Sequence, residues 1–129
     1  MAYSTELRNA KLDANTTIVG NAGKLEIYSG TDSAGTNNAE GTLLASFTLG
    51  SPFAPAASGG VQSPTLPADT TGVATGTAGW ARVTKADGST AVMDLTVGTS
   101  GAQVNLNTLS ISTGVAVSIT SWTITAADA

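Results

Sequence analysis

Apolar and polar positions alternate along much of this chain, and they do so most clearly between Gly79 and Val97. There, two β-prone runs flank Asp87-Gly88. An Asp-Gly pair between alternating runs predicts a β-hairpin. Gly88 reaches positive φ without a Cβ penalty, so the chain can reverse there. Two registers compete. A two-residue loop pairs Ala86 with Ser89 and puts Arg82 on the face of Met93, Leu95 and Val97. A three-residue loop, a type I turn with Gly88 as bulge residue, pairs Lys85 with Ser89. It gathers Ala81, Val83, Ala91, Met93, Leu95 and Val97 on one face, and Trp80, Arg82, Thr84, Val92 and Asp94 on the other. A one-residue slip exchanges the faces completely. We favour the bulged register. It leaves one face free of charge and sets Arg82 diagonally from Asp94, within pairing range. Trp80 then falls on the mixed face, covered by the stem of Arg82.

Residues 4–19 carry the helical pattern. Ser4 or Thr5 serves as N-cap, and Glu6 suits the positive end of the helix dipole. Leu7, Ala10, Ala14 and Ile18 form a stripe, with Leu12 off it. The Gly20-Asn21-Ala22-Gly23 run ends the helix, and the β-branched residues 16–19 weaken its last turn. A stripe this small needs a surface to lie on, either its own sheet or a neighbouring subunit. We assign Leu7, Ala10, Lys11, Ala14 and Ile18 as the candidate interface.

Residues 24–29 read as a strand, with Leu25 and Ile27 opposite Glu26 and Tyr28. A polar loop of a dozen residues, 30–41, follows and is long for a compact domain. In the next strand, 42–49, Leu43, Ala45, Phe47 and Leu49 share one face, and Leu44 joins Ser46 and Thr48 on the other. Residues 50–72 hold all four prolines, so they read as loop or edge strand, with Phe53 and Val61 plugging the core. Two later segments change parity. One, 103–112, does so near Asn107; the other, 115–125, near Thr120, where a bend would let one strand serve two sheets. Seven or eight strands at this spacing predict an all-β fold, an antiparallel β-sandwich of jelly-roll type with one short N-terminal helix. The organisation expected is an N-terminal helix or arm, 1–23, and one sandwich domain, 24–129.

Composition narrows the function. A chain of 129 residues holds one core. Only 11% of residues are charged, so the surface is unusually neutral and suits partial cover by a partner. The net charge is -4, and the five cations, Arg8, Lys11, Lys24, Arg82 and Lys85, are scattered. That argues against nucleic-acid binding through phosphates. No apolar run approaches the ~20 residues of a membrane span, and residues 1–11 lack a signal-peptide core.

The chain has neither histidine nor cysteine. A Ser-His-Asp triad and thiolate metal sites therefore cannot be built. Glu26 and Asp94 are the acids placed within strands; Asp94 is expected to pair with Arg82 and Glu26 to be exposed. Asp32, Asn37, Asn38 and Glu40 offer hard oxygen ligands, but their spacing matches no EF-hand loop. Trp80 and Trp122 read first as core or interface residues and second as a sugar-stacking platform. The expectation is a protein without catalysis, cofactor or metal, whose structural hairpin rests on Trp80, Arg82, Asp87, Gly88 and Asp94.

Four segments carry a resemblance. They are 7–14 (LRNAKLDA), 22–31 (AGKLEIYSGT), 80–94 (WARVTKADGSTAVMD), and the stretch from Leu106-Asn107 to Trp122-Thr123-Ile124-Thr125. Together they resemble small virion structural proteins of tailed bacteriophages, whose nearest functional analogues are capsid decoration, or cement, proteins. The resemblance implies a homo-oligomer on the particle, the major capsid protein as partner, and a place in the virion, assembled in the host cytoplasm. A neck or tail component, or a sugar-binding module used in receptor recognition, is the alternative.

Overall fold

The computed structural model describes residues 4–20, 22–30, 41–50, 53–88 and 90–125. Among these residues one helix, α1 (Thr5–Val19), precedes eleven strands. Ser4 caps α1: its Oγ accepts the Leu7 N–H at 3.1 Å. Gly20 closes it at φ 70, its N–H donating to the Thr16 C=O at 3.2 Å. The weak β-branched last turn is helical because Val19 is buried there, so tertiary packing overrides propensity.

The centre is the run β1 (Lys24–Ser29), β2 (Leu43–Thr48), β5 (Gly76–Thr84) and β6 (Ala91–Gly98), with β1 lying between β2 and β5. Period-two alternation buries Leu25 and Ile27 of β1, Ala45 and Phe47 of β2, Ala81 and Val83 of β5, and Leu95 of β6. Leu44 is buried as well, against the expected phase. The ladder shifts between Ile27 and Tyr28, which pairs Ile27 with Ala45 and Tyr28 with Leu43. Leu44 is the extra residue of that bulge, and its side chain packs beside Gly76.

Trp80, Arg82 and Asp94 share one face and Ala81, Val83, Met93 and Leu95 the other, as expected. Ala91, however, pairs with Thr84 and so falls on the mixed face instead, and the turn differs too. Lys85 N–H bonds to the Thr90 C=O at 3.0 Å, so the turn closes one residue later than a Lys85–Ser89 pair. Val83 faces Met93 and Thr84 faces Ala91, which puts the bulge at Val92 rather than Gly88. Gly88 does take a positive φ, 74. Asp87 holds the turn by accepting both the Thr90 N–H, at 2.9 Å, and the Thr90 hydroxyl.

The sheet is mixed, which corrects the purely antiparallel expectation. β7 (Val104–Leu106) runs parallel to β6, with Val97 opposite Val104 and Gly98 opposite Asn105. Parallel neighbours usually need a long crossover. Here residues 99–103 suffice, because side chains fold the detour. Asn105 Oδ1 accepts the Ala102 N–H at 3.1 Å, and its Nδ2 donates to the Ala102 C=O at 3.0 Å and to Ser121 Oγ at 2.9 Å.

Both later parity changes are real breaks. β8 (Ser110–Ile111) separates from β7 and pairs with β5. The last segment splits into β9 (Ala116–Val117), β10 (Ile119–Trp122) and β11 (Ile124–Thr125), with a register shift around Thr120. β9 pairs with β4 (Thr70–Thr71), β10 with β7, and β11 with β3 (Val61–Gln62). The proline-rich excursion thus supplies two short strands. Phe53 is fully buried as expected, but Val61 is 37% exposed and Gln62 is buried in its place. One hydrophobic core joins α1, β1, β2 and β5 to β11, with Phe53 from the excursion, and it includes Leu12 and Val19 of α1. Among the described residues the protein is mostly β, with one helix packed on the strands, and no helix there is long and apolar enough to cross a membrane.

Candidate functional site

α1 meets the β structure through a polar face. Asn9 Oδ1 accepts the Gly60 N–H at 2.9 Å, and Asp13 Oδ1 accepts the Ala57 N–H at 2.7 Å. Asn15 Nδ2 donates to Gln62 Oε1, and Gln62 Nε2 donates to Thr16 Oγ1, each at 3.2 Å. Leu12 and Val19 fill the middle of this face. Positions 9, 12, 13, 16 and 19 fall on one side of a helix. The approach is close: a Cβ at Gly60 would stand 2.5 Å from the Arg8 guanidinium.

The opposite side looks outward. Leu7 is 44% exposed and Ile18 50%, and Ala10, Lys11 and Ala14 between them are exposed too. The five residues assigned from the sequence therefore share one outer surface. The hydrogen-bonding set that fastens the inner face, Asn9, Asp13, Asn15, Thr16 and Gln62, was not singled out from the sequence. Its only trace there is polar residues at helical spacing, which an apolar-periodicity search passes over.

The hairpin residues form a second cluster, on the polar side of the sheet. Glu26, Arg82 and Asp94 stand directly opposite one another across β1, β5 and β6. Arg82 meets Asp94 as a fork, Nε to Oδ1 at 2.8 Å and Nη2 to Oδ2 at 3.2 Å. The pairing is thus direct rather than diagonal. Tyr28 stacks on Trp80 with centroids 4.7 Å apart, and the Arg82 guanidinium lies 5.0 Å from the Trp80 ring centre. The Tyr28 hydroxyl donates to Glu26 Oε1 at 3.2 Å.

Glu26 is buried, contrary to expectation. Burial pushes its carboxyl above the ordinary 4.5, while the Tyr28 hydrogen bond and the charges of Arg82 and Lys24 pull back. Burial also raises the Tyr28 phenol, helped by the charge and hydrogen bond of Glu26. Glu26 and Asp94 thus flank Arg82, one on each neighbouring strand.

Neither tryptophan presents a ring to a sugar; each is 3% exposed. Trp122 packs edge-on to Phe53 at 5.3 Å. Among the described residues, no three His, Cys, Asp or Glu side chains come together as a metal site. Asp32, Asn37, Asn38 and Glu40 lie outside the described residues. A cavity of about 420 Å³ opens beside the hairpin, lined by Trp80, Asp94, Thr96 and Gln103 among others. Against protein-family models, curated proteins and solved structures, the chain finds no match.

Proposed function

We propose that this chain is a non-enzymatic structural protein of a tailed-phage virion, a capsid decoration or cement protein bound to the assembled major capsid protein lattice. The observation that carries the reading is the two-sided helix. One face is fixed to the domain by four hydrogen bonds. The other turns Leu7, Ala10, Ala14 and Ile18 outward as an apolar stripe with Lys11 at its side. A helix held rigidly in this way presents its stripe without paying an ordering cost on binding. A protein that binds the assembled shell and not the free subunit stabilises the shell by mass action. Low charge suits close packing among many copies, and we take the protein to be a homo-oligomer on the particle. We read the architecture as a jelly-roll-like sandwich, in which the β3–β11 and β4–β9 pairs face the large sheet.

The test is cosedimentation with DNA-free heads of the phage that carries the gene. The parent protein is expected to pellet with heads. The double variant Leu7→Glu, Ile18→Glu is expected to stay in solution while keeping its circular dichroism and melting temperature. Parent protein that ignores heads, that pellets only with tails, or that pellets equally well with both substitutions overturns the proposal.

A further inference from the structure

We infer that the outer edge of β2 at Ser46–Thr48 is where a second copy of this chain pairs, strand against strand, about a two-fold axis at Phe47. The inference names a contact between copies that the virion reading leaves open. It rests on the edge itself and is tested without heads.

β2 ends the large sheet, with β1 on its inner side and no strand beyond it among the described residues. The ladder with β1 fixes where its main chain points. Leu49 N–H donates to the Gly23 C=O at 2.8 Å. Main-chain groups of a strand turn to alternate sides, so Phe47 and Ala45, opposite Leu25 and Ile27, also bond to β1. Ser46 and Thr48 alternate with them and turn their N–H and C=O groups away from β1. The Leu44 C=O points the same way and is taken by the Val73 N–H at 2.8 Å, which closes that end of the edge. What remains is a row made of the N–H and C=O of Ser46 and the N–H and C=O of Thr48. Among the described residues these groups have no hydrogen-bond partner.

Exposed edges usually carry a charge, a proline or a bulge against pairing. Residues 45–48 (ASFT) have no charge and no proline, and the ladder shift lies before them. Thr48 is exposed and Ser46 half-buried, so the row is open to another strand.

The occupant that matches this row is the same row turned around. A two-fold axis at Phe47 sets Ser46 opposite the partner's Thr48 and Thr48 opposite the partner's Ser46. Each of these pairs exchanges two main-chain bonds, so every free group is used. The charges agree with that register. On β1, Lys24 stands opposite Thr48 and Glu26 opposite Ser46. The axis therefore puts Lys24 in line with the partner's Glu26, and Glu26 in line with the partner's Lys24. Lys24 Nζ already reaches Thr48 Oγ1 at 3.2 Å, toward the edge. Opposite charges on each row favour this register over one that aligns like charges.

The experiment uses the full-length protein alone. Sedimentation equilibrium from about 10 μM to about 1 mM is expected to show a reversible monomer–dimer equilibrium, weak because the contact is short. In a mixture of ¹³C-labelled and unlabelled copies, an intermolecular NOE between the two Phe47 Hα atoms marks the axis. Residues opposite each other without exchanging hydrogen bonds bring their Cα atoms closest. Ser46→Pro removes an outward N–H that β1 does not use, and Thr48→Lys puts a charge on the edge. Each is expected to weaken the dimer at least about tenfold while keeping the circular dichroism of the parent. If Ser46→Pro does not fold, Thr48→Lys decides. A protein that stays monomeric up to about 1 mM overturns the proposal. So does a dimer that Thr48→Lys leaves intact, a dimer without the Phe47 contact, or one abolished by Leu7→Glu, Ile18→Glu, which would pair through α1. None of these outcomes bears on head binding, which stands or falls by cosedimentation.

Discussion

Arg82 and Asp94 face each other across β5 and β6 and form a two-bond fork, with side chains only 7% and 10% exposed. A buried pair of this kind costs desolvation to assemble, but breaking it leaves a charge stranded. Asp94→Asn is expected to destabilise the protein by up to about 3–5 kcal/mol, because Arg82 keeps its charge and loses the charged side of its two-bond fork, with Glu26 opposite it on β1 as a remaining counter-charge. The joint change Arg82→Met, Asp94→Leu should cost less than Asp94→Asn alone. Urea unfolding of the two variants measures the difference.

Glu26 gives the protein a pH-dependent stability of definite sign. Folding raises its pKa above 4.5, chiefly by burial. The folded chain therefore holds this proton more tightly than the unfolded chain does. The resulting stability is complete below 4.5 and is lost as pH rises through the raised folded value. Glu26→Gln removes that slope. The melting temperature of the variant relative to the parent is expected to rise between about pH 4 and about pH 7, as linkage requires. A difference that stays constant over this range would contradict the assignment.

These two residues also show where the sequence was readable. Alternation placed Arg82 and Asp94 on one face because a side chain's face depends only on parity. It could not place them opposite each other, since that depends on a bulge at Val92 set by the Asp87–Thr90 turn contacts. The parity changes near Asn107 and Thr120 were legible for the same reason. The parallel β6–β7 contact was not, because it rests on the Asn105 side chain folding residues 99–103. The outer helix stripe was legible as apolar spacing, whereas the inner face, held by amides and a carboxylate, carries no such spacing.

Gly79 and Gly88 should respond oppositely in kind to alanine. A Cβ at Gly79 would run into the Gly30 C=O, so β5 cannot keep its course beside Gly30. Gly88 has open space around it but sits at φ 74. Gly88→Ala should cost only about 1–2 kcal/mol, the left-handed penalty for one residue. Gly79→Ala should cost more and also shift the amide signals of Gly30 and Trp80, which Gly88→Ala leaves in place.

The Phe53–Trp122 contact joins the proline-rich excursion to β10. Phe53 is fully buried, so Phe53→Ala is expected to cost about 3–5 kcal/mol. Trp122→Phe should be far milder. Among the described residues the buried indole N–H of Trp122 finds no partner, and removing it relieves a desolvation penalty of about 1–3 kcal/mol. That relief offsets much of the packing lost with the smaller ring. Thermal melts of both variants decide it: equal losses would mean that the indole N–H is satisfied after all.

The helix separates folding residues from surface residues along a single element. Leu12 is 4% exposed inside the core, and Asp13 beside it carries the 2.7 Å bond to the Ala57 N–H. Leu12→Ala is expected to cost about 2–5 kcal/mol through lost transfer energy and the cavity left behind. Asp13→Ala leaves the Ala57 N–H without its acceptor, and should cost about 1–3 kcal/mol. Leu7→Ala and Ile18→Ala, on the outer side, should stay within about 0.5 kcal/mol of the parent, as exposed substitutions do. Denaturant titration of the four variants tests the division. If Leu7→Ala or Ile18→Ala destabilised the isolated protein as much as Leu12→Ala, the outer stripe would belong to the fold. If they leave stability untouched, the outer stripe is not part of what holds the fold together.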